Sequence, residues 1–340
     1  MTPRPIAIVG GGLAGLSLGL ALRRQHVPVT IHEAGNYPRH RVCGEFITGL
    51  AAATIDRLGL ADALSGALKH REVAWFSRDR PPHIHQLPEP ALGLSRHALD
   101  ARLAEKFEAS GGTLRVGSRL GEPADRPGVV WATGRRRATA PKWIGLKLHA
   151  RNLALTRDLE MHLGSWCYLG LTQVEHGAVN VCGLFRRRPL AAPAPELLIA
   201  YLRAAGLIDL ADRLSRSVIV PESCCAVAAL AFDRKTTPTN RVSLGDASAM
   251  IPPFTGNGMA MAFQSAELAL DPLLAYTRGA ADWADTRAAI QGRLRTRFRV
   301  RLATAGALHP FLLKPRPQGW ISALGRAHLL PFRPLYATLH

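Results

Sequence analysis

Three glycines, Gly10, Gly12 and Gly15, stand in a G-x-G-x-x-G spacing directly after the apolar run Ile6–Val9, and Glu33 follows 18 positions after the last of them. This pattern suits a pyrophosphate. Gly10 permits a tight turn, Gly12 lets the backbone approach the phosphates, and Gly15 lets helix and strand pack closely. The N–H groups of Leu13 and Ala14 open a helix whose positive dipole end faces the anion. Glu33 is placed to accept hydrogen bonds from a ribose. Its charge repels a 2′-phosphate, which favours an unphosphorylated adenosine such as that of FAD or NAD.

A second group lies far along the chain. Gly245-Asp246-Ala247 follows an apolar run, and IPPFTGNGM comes next, before a helix. A strand-end aspartate, Asp246, suits sugar or ribityl hydroxyls. The N–H groups of Gly256, Asn257 and Gly258, with Met259 beside them, open that helix and can face an electron-rich ring edge. A third group is Arg41-Val42-Cys43-Gly44-Glu45. Arg39, His40 and Arg41 precede Cys43, and cationic neighbours lower a thiol pKa. Cys43 is therefore a candidate proton donor, and Glu45 a candidate base or ring contact. The alternatives are packing in a tight loop for Cys43 and a pair with Arg41 for Glu45.

These groups need elements to hold them. Ile6–Val9, a helix over 13–25 and a strand over 27–32 form a βαβ unit. A helix is expected over 50–68, a strand over 73–76, then a proline-rich stretch over 80–90, and a helix over 97–110 after Ser95 and Arg96. Short strands follow at 113–116 and 128–132. Residues 143–185 alternate like an antiparallel sheet with turns at Gly164 and His176-Gly177. Two helical stretches cover 195–214, and a strand at 241–245 leads to a helix over 257–276. The tail, 283–340, reads as helical with breaks at Pro310, Pro315, Pro317 and Pro331.

The pattern predicts an α/β fold: a discontinuous Rossmann-like domain with a parallel sheet (1–70, 93–142 and 236–280), an inserted antiparallel lobe (71–92 and 143–235), and C-terminal helices over 281–340.

The chain has 340 residues, 47% of them hydrophobic, which is too apolar for a disordered protein. The net charge of +18 comes from arginines spread along the chain. No zinc-finger spacing, RNP-type motif or basic tail accompanies it, so no nucleic-acid partner is expected. The five cysteines, at 43, 167, 182, 224 and 225, include no C-x-x-C, which argues against zinc and a disulfide framework and for a reduced, cytoplasmic protein. Cys167 and Cys182 are candidates to face each other across the sheet, and Cys224-Cys225 open an apolar run, 224–232. His83 and His85 alternate as if on one face of a strand, without a third metal ligand at a suitable spacing. Arginines at 293, 295, 297, 299 and 301 read as a solvated helix, with a peripheral membrane or carrier-protein contact as the alternative. Tail apolar residues, among them Phe311, Leu312, Trp320, Leu329, Leu330 and Phe332, are candidates to enclose an apolar substrate.

Taken together, the G-x-G-x-x-G start, SRHALDARL and GDASAMIPPFTGNGM resemble FAD-dependent oxidoreductases of the para-hydroxybenzoate hydroxylase type. RVCGEF, WIGLKLHA and CYLGLTQVEHGAVNVCGLF resemble the geranylgeranyl-reductase-like branch of that superfamily. The resemblance implies FAD as cofactor. It places Gly10, Gly12, Gly15 and Glu33 at the ADP moiety, Arg96 near the dinucleotide, and Asp246 at the ribityl and pyrophosphate region. It sets Gly256 to Met259, with Arg41, Cys43, Gly44 and Glu45, beside the isoalloxazine. The family's Asp-Gly motif departs here to WATGRRR (131–137), with Thr133 in place of Asp. The electron donor is thus open between NAD(P)H and a separate reductase. The first expectation is a monooxygenase acting through a C4a-hydroperoxyflavin on an apolar aromatic or polyketide-like molecule. The alternatives are a reductase of isoprenoid or conjugated double bonds and a flavin-binding redox sensor.

Overall fold

The computed structural model describes residues 2–77, 81–121, 126–135, 142–230, 240–326, 329 and 331–339, with backbone alone at 229–230, 321–322 and 325–326. Arg136, Arg137 and Leu330, and the end of the 224–232 run, lie outside the described residues. In chain order the first half holds β1 (Ile6–Val9), α1 (Leu13–Arg23), β2 (Val29–His32), β3 (Phe46–Ile47), α2 (Ala52–Leu58), β4 (Leu68–Ser77), β5 (His83–Gly93), α3 (Arg96–Ala109), β6 (Thr113–Arg115) and β7 (Val129–Trp131). The second half holds β8 (Trp143–Arg151), β9 (Leu159–Gly164), β10 (Cys167–Gln173), β11 (Val179–Arg186), α4 (Glu196–Ala204), α5 (Ile208–Ser215), β12 (Val218–Leu230), β13 (Val242–Ser243), α6 (Gly258–Thr277), α7 (Trp283–Leu313), α8 (Pro315–Arg326) and α9 (Phe332–Leu339).

Two sheets carry the fold, which is α/β as the pattern predicts. The smaller is parallel, in the order β13-β7-β1-β2-β6. Its strands are short and apolar because helices cover them. Residues 13–22 of α1 are all buried, as a helix needs when it packs on a sheet and against α3 and α6. The larger sheet runs β12-β8-β11-β10-β9-β4-β5-β3 and is antiparallel except where β4 meets β9. Alternation divides its faces. Ile144, Leu146 and Leu148 of β8 pack with Leu198, Leu202 and Leu214 of α4 and α5. Gly145, Lys147 and His149 point to the opposite face.

Four expectations need correction. The helix expected over 50–68 is α2 alone, because Gly59 adopts a left-handed cap with φ +69°. The strand expected over 73–76 is longer, as β4, and most of the proline-rich stretch beside it forms β5. Pro88 and Pro90 fall where the register with β4 jumps from Glu72↔Gln86 to His70↔Ala91, so neither need donate to the ladder. Pro310 does not break the tail: α7 runs to Leu313, and the lost N–H bond to Gly306 lies on the exposed face, where that carbonyl is open to solvent. Arg301 is buried, not solvated. It donates to Gln264 Oε1 at 2.8 Å, and burial, with Arg297 beside it, pulls its pKa down to about 10. Among the described residues no helix is long and apolar enough to cross a membrane.

Candidate active site

The G-x-G-x-x-G turn has the geometry its spacing requires. Gly10 sits at φ +110°, and a Cβ there would stand 2.2 Å from the Ala132 carbonyl oxygen. A Cβ on Gly15 would stand 2.0 Å from the Gly10 oxygen. At Gly12 the nearest atom to such a Cβ is Arg96 Nη2, at 4.0 Å. The first and third glycines therefore serve turn and packing, while the second faces open space. No side chain caps α1, so its first N–H groups are left for a ligand. Glu33 accepts from Gly11 N at 2.8 Å and Gly35 N at 2.9 Å, which fixes its carboxylate at the end of β2.

Around this turn stands a cleft of about 1130 Å³. Its lining brings together Gly10, Gly12, Leu13, Ala14, Glu33, Arg41, Cys43, Gly44, Arg96, Asp246, Gly256, Gly258 and Met259. Gly15, Glu45 and Asn257 stand behind it. Asp100, which the sequence reading missed, holds two of the cations. Its buried carboxylate accepts from Arg41 Nε at 2.9 Å and from Arg96 Nε and Nη2 at 2.7 and 2.8 Å. Burial pulls the Arg96 pKa down, but Asp100 outweighs it and holds the guanidinium charged. The i,i+4 spacing of Arg96 and Asp100 on α3 is the signal that could have found this pair.

At the other end of the cleft, Gly256 takes φ +71°, and a Cβ there would strike the Phe46 ring at 2.2 Å. A Cβ on Gly258 would meet nothing within 4 Å, so the N-terminus of α6 faces open space. Asn257 is fully buried, and its Oδ1 has no partner among the described residues. Asp246 has its carboxyl pushed up by burial, against the charges of Arg135 and Arg96. Arg135 Nε lies 3.9 Å from Asp246 Oδ2, and its Nη2 donates to the Val42 oxygen at 2.9 Å. Arg135 thus links two walls of the cleft, from the WATGRRR stretch that the sequence singled out for Thr133.

The 41–45 segment departs from expectation. Burial pushes the Cys43 thiol up, and the nearby Arg96 charge does not reverse it. Glu45 does not pair with Arg41. It is completely buried, with Oε2 at 2.5 Å from His149 Nε2 and Oε1 at 3.4 Å from Lys147 Nζ. The Arg96 N–H also donates to it, at 3.0 Å. Lys147 Nζ lies 3.0 Å from His40 Nδ1. Burial, with Lys147 next in effect, pulls the His40 pKa down to about 4. His40, Glu45 and His149 are spaced as metal ligands, but the Lys147 amine stands among them. The other cysteines are free thiols as well. Cys182 pairs in register with Gly170 and Cys167 with Phe185, so these two thiols do not face each other.

Phe46, Met161 and Gly170 line both this cleft and a second pocket of about 200 Å³. The second pocket is apolar and lies against the larger sheet, at Phe254. Leu308 and Leu312 of α7 and Phe332, Leu335 and Leu339 of α9 line it as well. Phe311, Trp320 and Leu329, expected to help enclose a substrate, are instead exposed. His83 and His85 share one face of β5, as their spacing predicts, and both line this pocket.

No family model matches the chain. A menaquinone reductase of Mycolicibacterium smegmatis is 26% identical over 123 residues, 35% of this chain and 30% of that protein. A UDP-N-acetylglucosamine–N-acetylmuramyl-(pentapeptide) pyrophosphoryl-undecaprenol N-acetylglucosamine transferase of Alcanivorax borkumensis is 28% identical over 219 residues, 58% of this chain and 56% of that one. The matches thus span less than two thirds of either relative, and their names point to different chemistries. Solved structures superpose over nearly the whole chain. A geranylgeranyl bacteriochlorophyll reductase-like protein of Thermoplasma acidophilum gives a TM-score of 0.75 at 16% identity, over 94% of this chain and 91% of that one. A protein of Pseudomonas aeruginosa described as a probable FAD-dependent monooxygenase gives 0.71 at 16% identity, over 94% and 100%. The chain has the fold of these two proteins.

Proposed function

We propose that the chain is an FAD-dependent oxidoreductase, and that its reaction is monooxygenation of a small, apolar aromatic molecule. The observation that carries this reading is the junction of the long cleft with the apolar pocket at Phe46, Met161 and Gly170. The residues present fit FAD. Open space at Gly12, the uncapped start of α1, the open N-terminus of α6 and the unpartnered Asn257 oxygen are all features that a long, polar dinucleotide would complete. In this reading, Gly10 to Ala14 hold the pyrophosphate and Glu33 the adenosine ribose. Arg41, Arg96 and Asp246 flank the middle, and Gly256 to Met259 the ring edge. Bound there, FAD supplies electrons to dioxygen, one atom of which enters the substrate while the other leaves as water.

The chain's own work is to position and to exclude. Phe46, Met161 and Phe254 offer apolar surface, and the apolar side chains of α9 that line the pocket would limit water there, which protects a reactive oxygen species. The electron donor is NAD(P)H or a separate reductase. A peripheral membrane or carrier-protein contact stays with this reading as a partner, on the exposed apolar side chains Trp320, Leu324 and Leu329.

A second reading, reduction of an isoprenoid or conjugated double bond, draws on the menaquinone reductase match. A pocket of about 150 Å³ takes one benzene ring, so about 200 Å³ is on the scale of one or two rings, which favours the first reading. Turnover under heavy-isotope oxygen tests the choice. One heavy oxygen in the product supports the monooxygenase. A product saturated by two hydrogens without oxygen present means the reductase.

A further inference from the structure

We propose that a basic hollow at the end of β8 and β11, lined by Lys142, Arg187 and Arg188, binds the phosphomonoester of a long cosubstrate. The inference goes beyond the flavin reading, because the hollow lies against α4 and its cations stand outside the cleft.

Strand register builds the hollow. Trp143 pairs with Arg186, and Arg187 N donates to the Lys142 oxygen at 2.9 Å, which extends the ladder by one pair. Lys142 and Arg187 are thus directly opposite, and opposite side chains share a face. Alternation puts them on the face of Ile144 and Phe185, which packs against α4. Tyr201 of α4 fixes the next residue. Its hydroxyl accepts from Arg188 N at 3.1 Å and donates to the Arg188 oxygen at 3.0 Å. The space between these elements is about 790 Å³.

Charge makes the arrangement unfavourable by itself. Like charges directly opposite across strands destabilise a sheet. Lys142, Arg187 and Arg188 pair with no carboxylate among the described residues, and no described residue lining the hollow is acidic. Arg186, which also lines it, is engaged elsewhere, with its guanidinium 4.7 Å from the centre of the Trp166 ring. An anion seated between Lys142 and Arg187 turns their repulsion into attraction.

Two features set the class of that anion. A guanidinium meets a phosphate through two parallel N–H bonds, and an ammonium adds a point charge, so a doubly charged phosphomonoester uses both. The rest of the wall is apolar, with Leu190 and Leu197 beside Ile144, which favours a phosphate carried on an organic body. Ala228 of β12 lines both the hollow and the cleft, and marks the route from one to the other. Two sources have this chemistry: a nicotinamide dinucleotide with a ribose phosphate, and a coenzyme A thioester.

The test is calorimetric titration of the FAD-loaded protein, whose cleft is filled, with NADP⁺ and NAD⁺, and with coenzyme A and its 3′-dephospho form. In at least one pair the phosphorylated member should bind about tenfold tighter, and that pair names the source. The preference should shrink as salt rises. The double variant Lys142→Gln and Arg187→Gln should lose it and leave the dephosphorylated member within about twofold, a split that mere misfolding does not produce. Equal affinities within both pairs, equal losses for both members in the variant, a preference that survives there, or no binding by any of the four would overturn the proposal. Repeating the titration without FAD separates the two claims. A protein that takes no FAD but keeps a preference dependent on Lys142 and Arg187 keeps the hollow and loses the flavin reading.

Discussion

Glu45 Oε2 lies 2.5 Å from His149 Nε2, across a sequence separation of 104 residues, and both side chains are buried. With Lys147 on the other oxygen, this contact ties the loop that carries Cys43 and Gly44 to the centre of the larger sheet. Asn180 adds a second tie by donating to the Cys43 oxygen at 3.0 Å. The loop is one wall of the cleft, so its attachment to the sheet sets the shape of the cofactor site.

Removing the carboxylate should therefore cost both stability and cofactor affinity. Breaking one partner of a buried ionic pair costs on the order of 3 kcal/mol. Glu45→Gln should lower the urea unfolding free energy by about that amount and weaken FAD binding as well. A loss under about 1 kcal/mol would mean that the contact does not hold the loop.

Cys43 should behave as a packed thiol. Burial pushes its pKa up, so it is protonated near neutral pH. Its alkylation by iodoacetamide should be slower than that of free cysteine at pH 7.5. Cys43→Ser should retain turnover within about threefold. Rapid alkylation, or a large loss of turnover with flavin content unchanged, would return Cys43 to the chemistry.

Glu160 supplies a dependence on acid. Burial pushes its carboxyl up, but hydrogen bonds from His162, the Thr156 N–H and Arg213 outweigh this and bring it to about 2, from an ordinary 4.5. A depressed carboxyl contributes stability that is present above its unfolded value and lost as pH falls through the folded one. The contribution is about 3 kcal/mol near neutral pH. The stability gap between the native chain and Glu160→Gln should close as pH falls from 4.5 to 2. A gap that is constant across this window contradicts the assignment.

What could be read from the residues, and what could not, divides by distance along the chain. Gly10, Gly12 and Gly15 act on their own turn, and their spacing states the geometry. The alternation of 143–185 likewise announces its sheet. At 80–90 the prolines hide a strand, because the bulge that excuses Pro88 and Pro90 belongs to the pairing with β4. The alternative reading of Glu45, a pair with its near neighbour Arg41, fails because its side-chain partners come from β8. The signal was present in β8: Lys147 and His149 alternate with Leu146 and Leu148, a polar stripe in a strand otherwise apolar. The apolar pocket has no local signature, since its walls come from β4, β5, β9, β10, α7 and α9.

The central claim is that FAD fills the cleft around Gly12, and titration of the flavin-free protein with FAD, followed by flavin fluorescence, tests it most directly. Gly12→Val is the control, because a Cβ at Gly12 has room in the fold but its side chain projects where a ligand would lie. Gly10→Ala could not serve, since its Cβ would strike Ala132 and the fold itself would suffer. The account predicts one FAD per chain for the native protein and at least a hundredfold weaker binding, on the order of 3 kcal/mol, for a folded Gly12→Val. A native chain that binds no FAD, or a Gly12→Val variant that binds it as tightly as the native chain, would contradict it.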